Sequence, residues 1–422
     1  MDKKGWSLLL AACLLLAGCG KNADTGSETL GRQAEITVAI WADEMDEVSE
    51  LTAGFSRKYP GLSARMVVFS SDTYMEDVYR YLEEGGTLDV IPCKNNAEFT
   101  ACITEAGLLD LTDLIRRDEV DVSAYGPLYD DMKYQGLTYG LPYKKTANVL
   151  YYNCDLFDEA GVGYPGNNMT WEEFRWLAYR MTDARKRQYG AYLHTWPQCW
   201  YGLGLQEGAT IIDVDLSPFA EGLRYRQQLE ADGSIRTYRE SLELGSNYRT
   251  DFVNESAAMC VIGDYMISQL RDMEKVGQLS FRWDVAAIPH PEGSEANVTW
   301  GTANTVGIWS GCNETEAAWK FVKYMAGKEG AAVYASGGSL PAYFDSDIEQ
   351  IYLGDGRLNP KNIGILLESK MYFENPTIEG ADEIKNRIYA EEGARTLIEG
   401  RSVEETFEVI AMRIRRVVEG SE

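Results

Sequence analysis

Between residues 36 and 91 the chain alternates β-rich and helical stretches, and this alternation restricts the fold more than any other feature. Ile36-Thr37-Val38-Ala39-Ile40 is a short, nearly continuous apolar run that reads as a buried strand. Residues 44–59 place Val48, Leu51, Phe55 and Tyr59 at helical spacing and stop at Pro60-Gly61. A strand over 64–69, a helix over 72–84 and a strand over Leu88-Asp89-Val90-Ile91 follow, the last introduced by Gly85-Gly86. The β-α-β-α-β order predicts a parallel sheet covered by helices on both faces.

The middle of the chain has a different texture. Tyr139-Gly140-Leu141-Pro142-Tyr143 leads into a strand over 147–152, and Thr170-Trp171-Glu172-Glu173 opens a helix with Thr170 and Glu173 spaced as a capping box. Further strands are expected over 189–193, 257–262, 283–288 and 305–309. Helices are expected over 217–230, where Pro218 occupies the first turn, and over 264–275, 314–325 and 403–418. About 400 residues exceed what one small core organises, so two lobes are expected.

The N-terminus adds an address. Lys3 and Lys4 precede an apolar run over 8–16 that ends in Leu16-Ala17-Gly18-Cys19. A short basic start, an apolar stretch and small residues before a cut site describe a secretory signal, assigned to residues 1–18. The run is shorter than the roughly 20 residues a membrane-spanning helix needs. Leu-Ala-Gly-Cys resembles the bacterial lipobox, which implies lipidation of Cys19 and an anchor at the outer face of the cell membrane. Residues 19–35 are polar and are read as a flexible tether.

Composition removes several function classes. A formal net charge of −26 excludes a nucleic-acid partner, whose phosphates require Lys and Arg. Cys93, Cys102, Cys154, Cys199, Cys260 and Cys312 form no CxxC pair, and the two histidines, His194 and His290, stand at no ligand spacing. No metal site is expected. An extracytoplasmic address permits disulfides, but the spacing names no partners. With no nucleophile elbow, zinc motif or phosphate loop, the chain reads as a binder without catalytic residues or cofactor.

Four stretches carry a family resemblance. Gly85-Gly86-Thr87-Leu88-Asp89-Val90-Ile91 looks like a Gly-x-x-x-Asp-Val strand. Tyr139-Gly140-Leu141-Pro142 followed by Leu150-Tyr151-Tyr152-Asn153-Cys154-Asp155-Leu156-Phe157 is similar to a crossover segment that usually carries Lys where this chain has Cys154. Thr170-Trp171-Glu172-Glu173-Phe174 and Ala317-Ala318-Trp319-Lys320-Phe321-Val322-Lys323-Tyr324-Met325 match two helix signatures. In this order they resemble family 1 of the extracellular solute-binding proteins of ABC importers, the group that contains maltose-binding protein. The resemblance implies an α/β, two-lobed periplasmic-binding-protein-like fold (type II). Each lobe would be a mainly parallel sheet flanked by helices, with a ligand cleft between the lobes. Carried onto this chain, the N-lobe comprises 36–142 plus 290–337 and the C-lobe 143–289 plus 338–422. Pro142 and Gly337-Gly338 are hinge candidates, since both punctuate regular elements. A monomer that delivers its solute to the transmembrane subunits of an ABC permease is also implied.

A sugar presents polar edges and an apolar C–H face, so its site needs aromatic platforms and hydrogen-bonding groups. Ten Trp and 26 Tyr supply the material. Candidates are those near strand ends, where ligands meet open α/β sheets. Trp41 and Asp43 follow the first strand, Ser70 the second, and Tyr143 the proline of the first crossover. Trp196 and Trp200 follow the 189–193 strand, and Asp264 and Tyr265 the 257–262 strand. Trp300 precedes the 305 strand, and Tyr343 follows the last hinge candidate. For Lys94, Ser70 and His194 the competing reading is a hydrogen-bonded loop role. Two rival functions remain open: a polyamine or other cationic or peptidic solute in the same fold, and a secreted carbohydrate-active enzyme. Tyr151-Tyr152 matches a ferric-ion pair in residue type, but neighbours in one strand point to opposite faces.

Overall fold

The computed structural model describes residues 33–420. The expected signal segment, Cys19 and the tether up to residue 32 lie outside the described residues. Among the described residues nine strands form the frame: β1 (Ala34–Trp41), β2 (Leu62–Phe69), β3 (Val90–Cys93), β4 (Gly140–Asn153), β5 (Tyr189–Leu193), β6 (Ala257–Gly263), β7 (Trp283–Ala286), β8 (Val298–Ile308) and β9 (Lys370–Phe373). Their order is β2-β1-β3-β8-β4-β6-β5, with β7 paired to β4 and β9 to β8. Helices flank this mixed α/β arrangement, as expected of the two-lobed fold.

The expected parallel order holds where β1 pairs with β2 and β3, and again where β5 pairs with β6 and β8 with β9. The sheets are mixed and not mainly parallel, because β4 runs antiparallel to β6, β7 and β8, and β8 runs antiparallel to β3 as well. The reason is topological. β4 carries the chain out of the first half and β8 brings it back, so the two meet head to tail.

Both long strands exceed the expected ones. β4 joins the 139–143 and 147–152 stretches, and its register shifts between Pro142 and Lys144. A bulge is where a strand tolerates proline, which has no N–H to donate. β8 begins at Val298 instead of 305 and is buried along its whole length. β3 starts at Val90 because the Asp89 carboxylate accepts bonds from the Thr37 N–H (2.7 Å) and Thr37 Oγ1 (2.9 Å), stitching the strand entry to β1.

Three apolar cores hold these strands. One packs β1–β3 against helices that include Met45–Lys58 and Thr315–Ala326. The other two occupy opposite faces of the β4–β6 sheet, one centred on Trp200, Phe219, Tyr389 and Phe407, the other on Tyr151, Phe252, Trp283 and Tyr352. Each large side chain buried this way contributes about 1.5–3 kcal/mol. Among the described residues no helix is long and apolar enough to cross a membrane.

The Thr170 capping box is present. Thr170 Oγ1 accepts from the Glu173 N–H at 3.2 Å, and the Glu173 carboxylate accepts from the Thr170 N–H at 2.8 Å. Thr170→Ala leaves the Glu173 N–H without its side-chain acceptor and is expected to lower the unfolding free energy by about 1 kcal/mol, measured by urea unfolding.

Candidate functional site

Residues that follow five of the strands converge on one cleft. It has two connected compartments, of about 560 and 470 Å3, which share Ser71, Asp72, Lys94, Trp196 and Tyr265. Ligands meet open α/β sheets at such carboxyl ends. A groove of about 840 Å3 continues past Met75, Glu98 and Asp382 to the C-terminal helix, but helix surfaces rather than strand ends line it.

One wall is built after β1, β2 and β3. Trp41 meets Tyr74 edge-on at 5.1 Å, and the Lys94 ammonium lies 5.4 Å and 5.2 Å from their ring centroids. Lys94 also donates to the Ser71 carbonyl, while its own N–H donates to Glu98 Oε2 at 2.9 Å. Burial lowers the Lys94 pKa; Glu98, Glu44, Asp43 and Asp72 oppose that shift.

The facing wall comes from the loop after β5 and from the helices Tyr248–Val253 and Tyr265–Lys275. Trp196 is 39% exposed, stacks on His194 at 4.0 Å and lies 6.2 Å from Tyr248, which meets Tyr265 edge-on at 5.5 Å. Burial, helped by Arg226, holds the His194 pKa at about 4. The imidazole is therefore neutral at pH 7, and its Nδ1 accepts from the Trp196 N–H at 3.3 Å. Gln198 and Gln269 line the cleft with buried Oε1 atoms that have no hydrogen-bond partner.

Thr146, Asn148 and Thr302 line the cleft together with a buried Lys385–Glu374 ion pair at 2.7 Å. At one edge Lys144 is held between Glu44 and Glu47, with 3.0 Å to Glu47, and Ser339 Oγ donates to Glu47 Oε1 at 2.7 Å. Burial pushes the Glu44 carboxyl up against the opposing effect of Lys144. On Lys144 burial acts downward, but Glu44 and Glu47 outweigh it and raise the ammonium. Flat rings on two sides and an excess of hydrogen-bond acceptors suit a donor-rich ligand with an apolar face.

Of the ten residues expected to contact ligand, Trp41, Asp43, Trp196 and Tyr265 line this cleft. The other six lie elsewhere. Trp200 is core: its ring packs at Tyr389 and Phe407 and fills space that Gly393 leaves open. Trp300 lies inside β8 rather than ahead of it, and its ring sits on Gly202, where a Cβ would come within 2.3 Å. Tyr143 is fully buried and donates its hydroxyl to Glu44 Oε2 at 3.1 Å. Ser70 Oγ accepts from the Asp72 N–H, and it is the neighbouring Ser71 that faces the cleft. Tyr343 packs edge-on against Tyr125. Asp264 is 1% exposed and accepts from the backbone N–H groups of Ala147 and Leu340 at 3.1 and 3.3 Å, tying β4 to the chain after Gly338.

Lys94, for which a hydrogen-bonded loop role competes in the sequence, lines both compartments. Tyr248 and Gln269 lacked a signal, since neither follows a strand. Glu374 directly follows β9, a four-residue strand without a local sequence signal, and Lys385 reaches it from the helical turn at Glu383–Tyr389. The six cysteines from Cys93 to Cys312 are unpaired, and all but Cys312 are buried.

Burial raises the Asp264 pKa to about 7. A carboxyl whose folded pKa exceeds its unfolded value of about 3.9 contributes stability that is full below that value and lost as pH rises through 7. Asp264→Asn removes the titration, and its amide oxygen keeps one of the two backbone N–H bonds. The variant is expected to gain stability relative to the wild type between about pH 4 and pH 7, measured as urea midpoints across that window. Parallel curves would refute the assignment.

The fold and cleft define a two-lobed binding protein. Residues 39–332 match the bacterial extracellular solute-binding protein family, and the chain belongs to it. A chain of Brucella abortus named as a binding protein is 24% identical over 357 residues, covering 80% of this chain and 81% of that one. A sugar transporter of Rhizobium etli, solved in an open conformation, superposes with a TM-score of 0.77 at 25% identity, covering 90% of this chain and 99% of the other. An ABC substrate-binding protein of Listeria monocytogenes in complex with cycloalternan gives a TM-score of 0.81 at 24% identity, covering 91% and 99%. The family description also places such proteins outside the cytoplasm.

Proposed function

We propose that the protein binds a mono- or oligosaccharide in this cleft and hands it to the transmembrane subunits of an ABC importer. The observation that carries the reading is the pair of facing aromatic walls, Trp41 with Tyr74 and Trp196 with Tyr248 and Tyr265, in which Trp41, Trp196 and Tyr265 stand at or just after strand ends. The solved relatives that bind saccharides support it. Pro142 and Gly338, the latter at φ 97°, serve as hinge points between lobes 36–142 plus 290–337 and 143–289 plus 338–422. Closure about them brings the two walls onto the sugar.

The mature protein is a monomer held at the outer face of the membrane by a lipid on Cys19, and it acts as a binder rather than a carbohydrate-active enzyme. Cys19→Ser is expected to move the protein from the membrane fraction to the soluble fraction. Thermal-shift screening of saccharides, polyamines and peptides tests the ligand class, because a ligand of the native state raises its apparent stability by mass action. A shift with polyamines or peptides and with no saccharide sinks the sugar reading. Any new product in the same mixtures sinks the binding-only reading.

A further inference from the structure

The charge in the cleft is unbalanced in one direction. Eleven carboxylates and four lysines line the two compartments. Lys144 is taken up by Glu44 and Glu47, Lys385 by Glu374, and Lys275 by Asp272. Lys94 alone faces the rest. Asp43 and Asp72, exposed on the loops after β1 and β2, form no ion pair among the described residues. They sit next to each other through a bond from the Asp43 N–H to Ser71 Oγ at 3.2 Å.

The Lys94 wall shows how this cleft accommodates an ammonium. The ammonium rests over two ring faces, donates to a carbonyl and has carboxylates nearby. The same ingredients recur where the compartments meet. Trp196 and Tyr265 line both, Tyr248 adjoins them, and Asp72 belongs to both compartments. Gln198 and Gln269, whose Oε1 acceptors have no hydrogen-bond partner among the described residues, line one compartment each. Aromatic faces attract cations through the ring quadrupole, and the attraction grows once water is excluded. A neutral saccharide would leave this carboxylate field uncompensated when the cleft closes, which is unfavourable at lower dielectric.

We propose that the saccharide recognised here carries a protonated amino group, seated between the rings of Trp196, Tyr248 and Tyr265 and the carboxylates of Asp43 and Asp72. The assignment rests on the sugar reading above and narrows it to amino sugars or amino-bearing oligosaccharides. Asp43 and Asp72 set the charge preference, and the rings supply the platform that neutral and amino sugars would share.

The test is titration calorimetry at about pH 6 and low salt, where an amine is protonated. The panel is matched pairs: glucosamine, galactosamine and mannosamine and their short oligomers, against the corresponding neutral hexoses and oligomers, with spermidine alongside. At least one amino member is expected to bind about tenfold or more tightly than its neutral partner, and the advantage should shrink as salt screens the charges. In Asp43→Asn/Asp72→Asn, whose folding is checked by an unchanged urea midpoint, that preference should collapse toward one. Neutral members binding as tightly as their amino partners, or a preference that survives the double substitution, overturns the amino assignment and leaves the sugar reading intact. Spermidine binding with no saccharide binding overturns both. Binding by no member of the panel also overturns the assignment.

Discussion

Lys144→Met is expected to lower the unfolding free energy by about 3–5 kcal/mol at neutral pH, the usual penalty for removing one partner of a buried ionic cluster. The Lys144 side chain is 10% exposed and that of Glu44 7%. Methionine fills a similar volume but leaves Glu44 and Glu47 facing each other without a cation. Tyr143 and Ser339 would still donate to them, which offsets only part of the desolvation. The defect should depend on pH. Burial already holds the Glu44 pKa above its ordinary value, and losing Lys144 raises it further. Stability tied to the protonated form is full below the unfolded value of about 4.3 and lost as pH rises through the folded value. The variant should therefore lie nearest the wild type in acid and fall behind toward neutrality. Urea unfolding at several pH values measures this, and a change below about 1 kcal/mol at pH 7 would show that the cluster is not a structural unit.

The second large effect concerns affinity. Trp196→Ala is expected to weaken ligand binding by about 2 kcal/mol or more, roughly thirtyfold, as for an aromatic anchor at the centre of a site. Trp196 lines both compartments and is itself partly exposed, so truncation removes the platform without opening a core cavity. Its stacking on His194 is lost as well, but that ring keeps its place against Tyr192 and Tyr248. Calorimetry against a saccharide found by screening, with urea midpoints in parallel, separates the two contributions. An unchanged affinity would move the site away from this wall. By contrast, Trp200→Ala would be felt in stability, because that ring is buried among Tyr201, Tyr389 and Phe407.

Trp41, Trp196 and Tyr265 were legible because each sits within a few residues of the carboxyl end of a short strand whose pattern is local. Trp300 was misread for the converse reason. Its strand begins seven residues earlier than the β-rich stretch from Thr305, because β9 pairs with β8 along Val298–Gly301 and β4 pairs with it from Gly301 onward, which recruits the segment into the sheet. Once inside β8, the indole turns onto Gly202 and Trp171 instead of the cleft. Tyr143 and Asp264 stood at the expected crossings, yet their polar ends are spent on Glu44 and on backbone N–H groups.

The sequence by itself determined the α/β class, the order of elements over residues 36–91 and the Thr170 cap, because periodicity, capping and turn residues act over a few neighbours. Tertiary structure alone decided that β4 and β8 run through both halves of the sheet, that Lys144 bridges Glu44 and Glu47, and that Glu374 meets Lys385 beside Asn148. The Lys144 cluster and the strand pairings join residues far apart in the chain, and what brings them together is the burial of whole strand faces, which no short window of residues encodes.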